Sequence, residues 1–139
     1  MKLTIKEKEY NLVWGLPAIS QFCENLGHTD DLEKAFDIAF PINPSDYKIL
    51  QTVKARLELV FAAVQVGCEL ENTQVDFTMM ELQNFVDNAD QKLIDSVFED
   101  FFKSKYMGRS VEEYLFESVK EEDAPKEDKT VKKSRRASS

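Results

Sequence analysis

Leu59-Val60-Phe61-Ala62-Ala63-Val64 is an unbroken apolar run near the middle of this 139-residue chain, and it decides the fold. A helix that is apolar nearly all round is normally covered on more than one side. The sequence therefore predicts a central helix over residues 46–71, with Ser45 as its N-cap and Gly67 as the point where it kinks or ends early. One face of this helix is predicted from Leu50, Val53, Leu57, Val60, Phe61 and Val64.

The segment at the N-terminus has a different periodicity. Apolar and polar residues alternate on either side of a charged tetrapeptide, which predicts a β-hairpin with its turn near Glu7-Lys8. A hairpin of this size is marginal alone and must pack on something. The alternating apolar residues are Leu3, Ile5, Tyr10, Leu12 and Trp14.

Helical spacing recurs through the rest of the chain. Capping boxes begin two of the predicted helices, at Thr78 to Glu81 and at Ser110 to Glu113. The fold class is thus mainly α with a small N-terminal β-hairpin, in one domain of five or six helices. Beside the central helix, helices are predicted at about 17–26, 30–39, 79–89, 90–106 and 111–121.

Charge divides the chain into two parts. The net charge is −8, yet residues 1–121 carry 22 acidic and 12 basic residues, whereas residues 122–139 carry four acidic and six basic ones. The body is too acidic to bind nucleic acid or an anionic membrane through its general field. The polar segment 122–139 is expected to be a disordered tail. Its basic end suits a solubilising tail, an import patch, a kinase site or an arm for an acidic partner.

Little in the sequence indicates catalysis or metal binding. Cys23 and Cys68 stand singly in apolar patterns, and with no secretory leader or membrane-spanning run the chain is expected to be cytoplasmic with reduced thiols. The one histidine, His28, follows a helix-ending glycine and is expected near the last carbonyls of that helix. We predict no catalytic residue, no cofactor and no metal site.

The segment around residues 90–106 carries the candidate binding residues. Its carboxylates, such as Asp95 and Glu99, are interpreted as a solvated helix face, continued by Lys103. Its stripe is wide and aromatic. Most of the stripe is expected in the core, but part could form a groove for an apolar partner helix. The candidate partner-binding residues are Phe98, Phe101, Phe102 and Tyr106.

The opening of the chain carries a resemblance to a known family. Lys2-Leu-Thr-Ile-Lys-Glu-Lys-Glu-Tyr-Asn-Leu-Val-Trp-Gly15, followed by a short helix from Ala18 to Leu26 and by Gly27, resembles the start of phage tail assembly chaperones. The later order of a long helix, a Thr-capped helix, acidic helices and a charged C-terminus is also similar. The specific part covers about a fifth of the chain.

This resemblance implies a non-enzymatic role. Such chaperones bind the long helical tape measure protein and keep it soluble until tail tube subunits assemble around it. The implied partners are a tape measure protein and a tail tube protein, with several copies on one client or a homo-oligomer. Many of these chaperones exist in short and frameshifted long forms that share the N-terminal domain.

Two other function classes compete with this one. An acidic inhibitor, such as an immunity or antitoxin protein, would use the acidic body to block a basic site, and its complex would be sensitive to salt. An enzyme would need carboxylates with shifted pKa values converging in a pocket.

Overall fold

The computed structural model describes residues 1–43, 45 and 47–115. This part is mainly helical with a small N-terminal hairpin, as the sequence predicted. Its elements are β1 (Lys2–Ile5), β2 (Lys8–Asn11), α1 (Leu16–Leu26), α2 (Leu32–Ala39), α3 (Ile49–Leu70), α4 (Met79–Asn88), α5 (Gln91–Lys103), β3 (Lys105–Tyr106) and β4 (Arg109–Ser110). A further helical stretch, α6, is described over 111–115. The rest of that predicted helix and the predicted tail lie outside the described residues.

The N-terminal hairpin is antiparallel, with Leu3 opposite Tyr10. Its turn consists of Lys6 and Glu7, so it comes one residue earlier than predicted, and both residues have positive φ angles. Primed turns have positive φ at these positions, and they are favoured in hairpins because their twist matches that of the strands. Strand β2 ends at Asn11, so the predicted strand through Trp14 is too long.

Helix α3 contributes to both apolar clusters of the protein, which agrees with its predicted central place. We call the first one the hairpin cluster. Its buried members are Leu3, Ile5, Tyr10, Leu12, Leu57, Val60, Ala63, Val64, Cys68, Phe77, Leu82 and Val97. The second, the helical cluster, consists of Ile19, Phe22, Cys23, Ala35, Phe36, Ala39, Ala55, Leu59, Ala62, Phe101 and Val111.

The start of α3 differs from the prediction. The helix begins at Ile49 with Lys48 as its N-cap, and Ser45 instead contacts the side chain of Asn43. The predicted inward residues Leu50 and Val53 are exposed. The helix continues through residue 67 to its end at Leu70, without the early stop expected at the glycine.

Helix α5 ends earlier than predicted, at Lys103. The chain then forms the short antiparallel pair of β3 and β4, in which Lys105 lies opposite Ser110. Its turn, Met107-Gly108, has positive φ at both residues. Tyr106 therefore lies on a strand and not on the helical stripe to which the sequence assigned it.

The ends of several helices match their local sequence signals. Thr78 and Glu81 form the predicted capping box of α4, and Ser110 and Glu113 make the same reciprocal hydrogen bonds before α6. Gly27 has a left-handed conformation after α1. The two cysteines are buried and free, as expected. No helix in the described part is long and apolar enough to span a membrane.

Candidate partner-binding surfaces

The four predicted partner-binding residues do not share one surface. Phe101 is fully buried in the helical cluster, 5.1 Å from the ring of Trp14 and 5.9 Å from that of Phe40. A partner cannot touch it while the fold is intact, so its assignment to a binding surface is wrong. Tyr106 packs edge to face on Tyr114 at 5.3 Å.

Phe98 and Phe102 do lie together, four residues apart on α5 and half-buried. They line an open groove of about 390 Å³, which we call the α5 groove; its other lining residues are Asp95, Glu99, Lys103 and Glu112. Phe98 packs against the hairpin cluster and Phe102 against the helical cluster. The groove thus lies where side chains from the two clusters meet at the surface.

The rim of the α5 groove is acidic. Glu99 pairs with Lys103 at 3.6 Å, the i, i+4 pair that the sequence predicted. Asp95 accepts a hydrogen bond of 2.9 Å from the side chain of Gln91. The rim contributes three carboxylates and one ammonium group, so it favours a ligand whose apolar side chains are flanked by cations.

One carboxylate of α5, Asp100, does not line the α5 groove. The Asp100 carboxylate accepts a 2.8 Å hydrogen bond from the indole N–H of Trp14, which gives it a structural partner. Among the carboxyl groups of the described residues, Glu58 on α3 has a raised pKa, because burial disfavours its charged form. It does not line the α5 groove.

His28 lies where the sequence placed it, beside the end of α1. Its backbone N–H donates to the carbonyl of Cys23 at 2.9 Å, which satisfies one of the last carbonyls of the helix. Among the residues that the structure describes, no group of three or more His, Cys, Asp or Glu side chains is placed to hold a metal ion.

A second apolar surface lies at the start of α3, and the sequence interpretation missed it. Ile49, Leu50 and Val53 share one face of the helix and are 65%, 64% and 42% exposed. We call these three residues the α3 patch. Tyr47 and Ile42, in the preceding loop, are also exposed.

Two hydrogen bonds to α2 explain why this face points outward. The Thr52 hydroxyl donates to the carbonyl of Ile38 at 3.0 Å, and the Arg56 Nε–H donates to that of Ala39 at 2.7 Å. Both carbonyls lie at the C-terminal end of α2, where helices leave such groups without internal partners. Satisfying them turns the face that carries Thr52, Ala55 and Leu59 inward. Helical periodicity alone carries no signal of this, since Leu50 and Val53 continue the core-facing stripe.

No family model, curated protein or solved structure matches this chain.

Proposed function

We propose that this protein is a non-enzymatic assembly chaperone that binds an apolar helix of a longer client protein. The observation that supports the proposal is the α5 groove, in which Phe98 and Phe102 stay partly accessible beside exposed carboxylates. Two aromatic side chains one helical turn apart match the spacing of apolar side chains along a partner helix.

The resemblance of the N-terminal segment suggests the client. Following that resemblance, the client is a tape measure protein, the second partner is a tail tube protein, and the setting is the cytoplasm of an infected cell. A long client offers many equivalent helical segments. Several copies of the chaperone could then coat it, so that a modest affinity per groove is enough to keep the client soluble.

Binding in the groove would combine two contributions. The rings of Phe98 and Phe102 would be buried against the apolar stripe of the client, and the release of water from these surfaces supplies the driving force. The carboxylates of Asp95 and Glu112 remain at the rim, where they orient the client through its flanking cations. Because the driving force is apolar, high salt should weaken the complex only partly.

The acidic rim also favours a second candidate, an inhibitor that blocks a basic site on its target. In that case the carboxylates would supply most of the affinity, because the target is recognised by its charge. Charge-driven complexes weaken steeply as the ionic strength rises. Salt dependence therefore separates the two candidates.

Co-expression with the long helical protein encoded nearest to this chain tests the chaperone proposal. We expect the full chain to keep that client in the soluble fraction and to co-purify with it in high salt. Phe98→Ser should abolish both effects, because it removes one of the two groove rings.

Phe85→Ser is the matched control, since Phe85 is another half-buried phenylalanine of the hairpin cluster, on α4 and outside the groove. It should keep the client soluble. A client that stays insoluble with the unaltered chain would refute the chaperone function. Equal loss with both variants would refute the groove as its site.

A further inference from the structure

Single exposed apolar residues are common on protein surfaces and need no explanation. The α3 patch differs, because its three apolar residues are exposed side by side. Exposed Tyr47 lies two residues before the first of its three residues. Contiguous apolar surface of this kind marks interaction sites in stable proteins.

The exposure of the patch is built into the fold. Because Thr52 and Arg56 hold the end of α2, α3 cannot rotate to bury Leu50 without breaking two hydrogen bonds. Leaving the two carbonyls unpaired is unfavourable, because each would lose its hydrogen bond in a place with little access to water. The patch therefore stays at the surface, although its composition suits a core.

The patch is also the uncovered end of a longer apolar stripe. Along the same face, Leu57, Val60 and Val64 are buried in the hairpin cluster. The hairpin covers the stripe from Leu57 onward and leaves the first two turns of α3 uncovered. A helix laid along those turns would extend the same packing, with apolar residues at i, i+3, i+4 and i+7 against the patch.

The charges around the patch indicate what kind of partner helix would fit it. At 100° per residue, Lys54 borders the patch and Lys48 precedes it, whereas Arg56 is turned toward α2. From residue 41 to residue 58 the sequence contains these three cations and two carboxylates, Asp46 and Glu58, although residues 1–121 as a whole are strongly acidic. Lys48 and Lys54 thus give the patch a cationic border on an otherwise anionic body.

We propose that the α3 patch binds an amphipathic helix of a partner protein whose apolar stripe is flanked by Asp and Glu side chains. This surface goes beyond the client groove on α5, since the two sites carry rims of opposite charge. They would hold two different segments at once, one with cationic and one with anionic flanks. The acidic body disfavours an anionic membrane as the occupant.

Two designed peptides test the proposal on the full chain. Each is a helix of about 18 residues with a Leu stripe, labelled with a fluorophore; one has Glu flanks and the other Lys flanks. Fluorescence polarisation should show that the Glu-flanked peptide binds. Leu50→Ser together with Val53→Ser should weaken that binding at least about tenfold, because two apolar anchors are lost.

Lys54→Glu should also lower the affinity for the Glu-flanked peptide and reduce the salt dependence of its binding. The matched controls are Met80→Ser, which removes an exposed apolar side chain elsewhere, and Lys92→Glu, which makes the same charge reversal at an exposed position of α5. Neither control should change the affinity for the Glu-flanked peptide.

Three results would overturn the proposal. The first is binding that does not depend on Leu50 and Val53. The second is self-association of the chain that disappears with Leu50→Ser, since a second copy would then be the occupant. The third is patch-dependent binding to vesicles of anionic phospholipid. None of these results depends on Phe98, so the client groove on α5 is tested independently.

Discussion

At the scale of single residues, Gly67 shows how one position joins two elements. A Cβ atom there would overlap the backbone carbonyl oxygen of Asn11, the last residue of β2. The backbone N–H of Val13 donates to the carbonyl of Ala63 at 3.2 Å, one turn earlier on α3. The side chain of Asn11 also donates to the carboxylate of Glu71. Glycine is needed at 67 for space and does not end the helix.

Gly67→Ala should therefore destabilise the protein by about 2–3 kcal/mol, because the clash is with backbone that cannot rotate aside. Helix propensity alone would predict a gain of about 1 kcal/mol. Urea unfolding followed by circular dichroism measures the difference. Glu69→Ala, at an exposed position of the same helix, is the control and should be close to neutral. A stable Gly67→Ala variant would mean that the hairpin does not sit on α3 as described.

At the scale of elements, sequence reasoning succeeded at the two capping boxes and failed at Ser45, the predicted N-cap of α3. The capping boxes at Thr78 and Ser110 were predictable, because a helix N-terminus is specified within four residues. The rotation of α3 was not, since Thr52 and Arg56 bind carbonyls of another helix. For the same reason the aromatic stripe of α5 identified the groove only in part. Its periodicity could not say that Phe101 would be covered by side chains from α2 and the segment after β2.

The start of α4 gives an element-scale prediction about pH. Lys6, in the hairpin turn, pairs with Glu81 at 2.8 Å, while the backbone N–H of Thr78 donates to the same carboxylate at 2.8 Å. These contacts, the lysine first, lower the pKa of Glu81 below its usual value. A carboxyl group with a lowered folded-state pKa adds stability above its unfolded pKa and loses it as pH falls through the folded value.

Glu81→Gln should therefore lower stability at neutral pH and flatten its decline in acid. The neutral amide can still accept the N–H of Thr78, so the lost part is the charge. Thermal unfolding from neutral pH to below the usual carboxyl range measures the effect. Glu24→Gln, at an exposed position on α1, should leave the profile unchanged. An unaltered acid limb in Glu81→Gln would show that the turn and α4 are not linked electrostatically.

At the scale of the whole molecule, Trp14 joins the two clusters. Its ring packs against both of them and lies 5.1 Å from that of Phe101, and its indole N–H is held by Asp100. Helix α5 joins them too, because Val97 is buried in the hairpin cluster and Phe101 in the helical cluster. With these shared members, neither cluster can open while the other keeps its packing, so the described part should unfold as one cooperative unit.

Trp14→Phe tests this cooperativity. It removes ring contacts from both clusters and leaves the half-buried carboxylate of Asp100 without its donor, so stability should fall by about 2–4 kcal/mol. The substitution removes the single tryptophan, so its fluorescence cannot report unfolding of the variant. Far-UV and near-UV circular dichroism are therefore used to follow the urea transition. Both signals should shift together to lower urea. Asp100→Asn keeps an acceptor for the indole and should cost clearly less. Separate transitions would show that the clusters unfold independently. Equal losses in the two variants would show that Trp14 acts through the Asp100 carboxylate and not through its ring contacts.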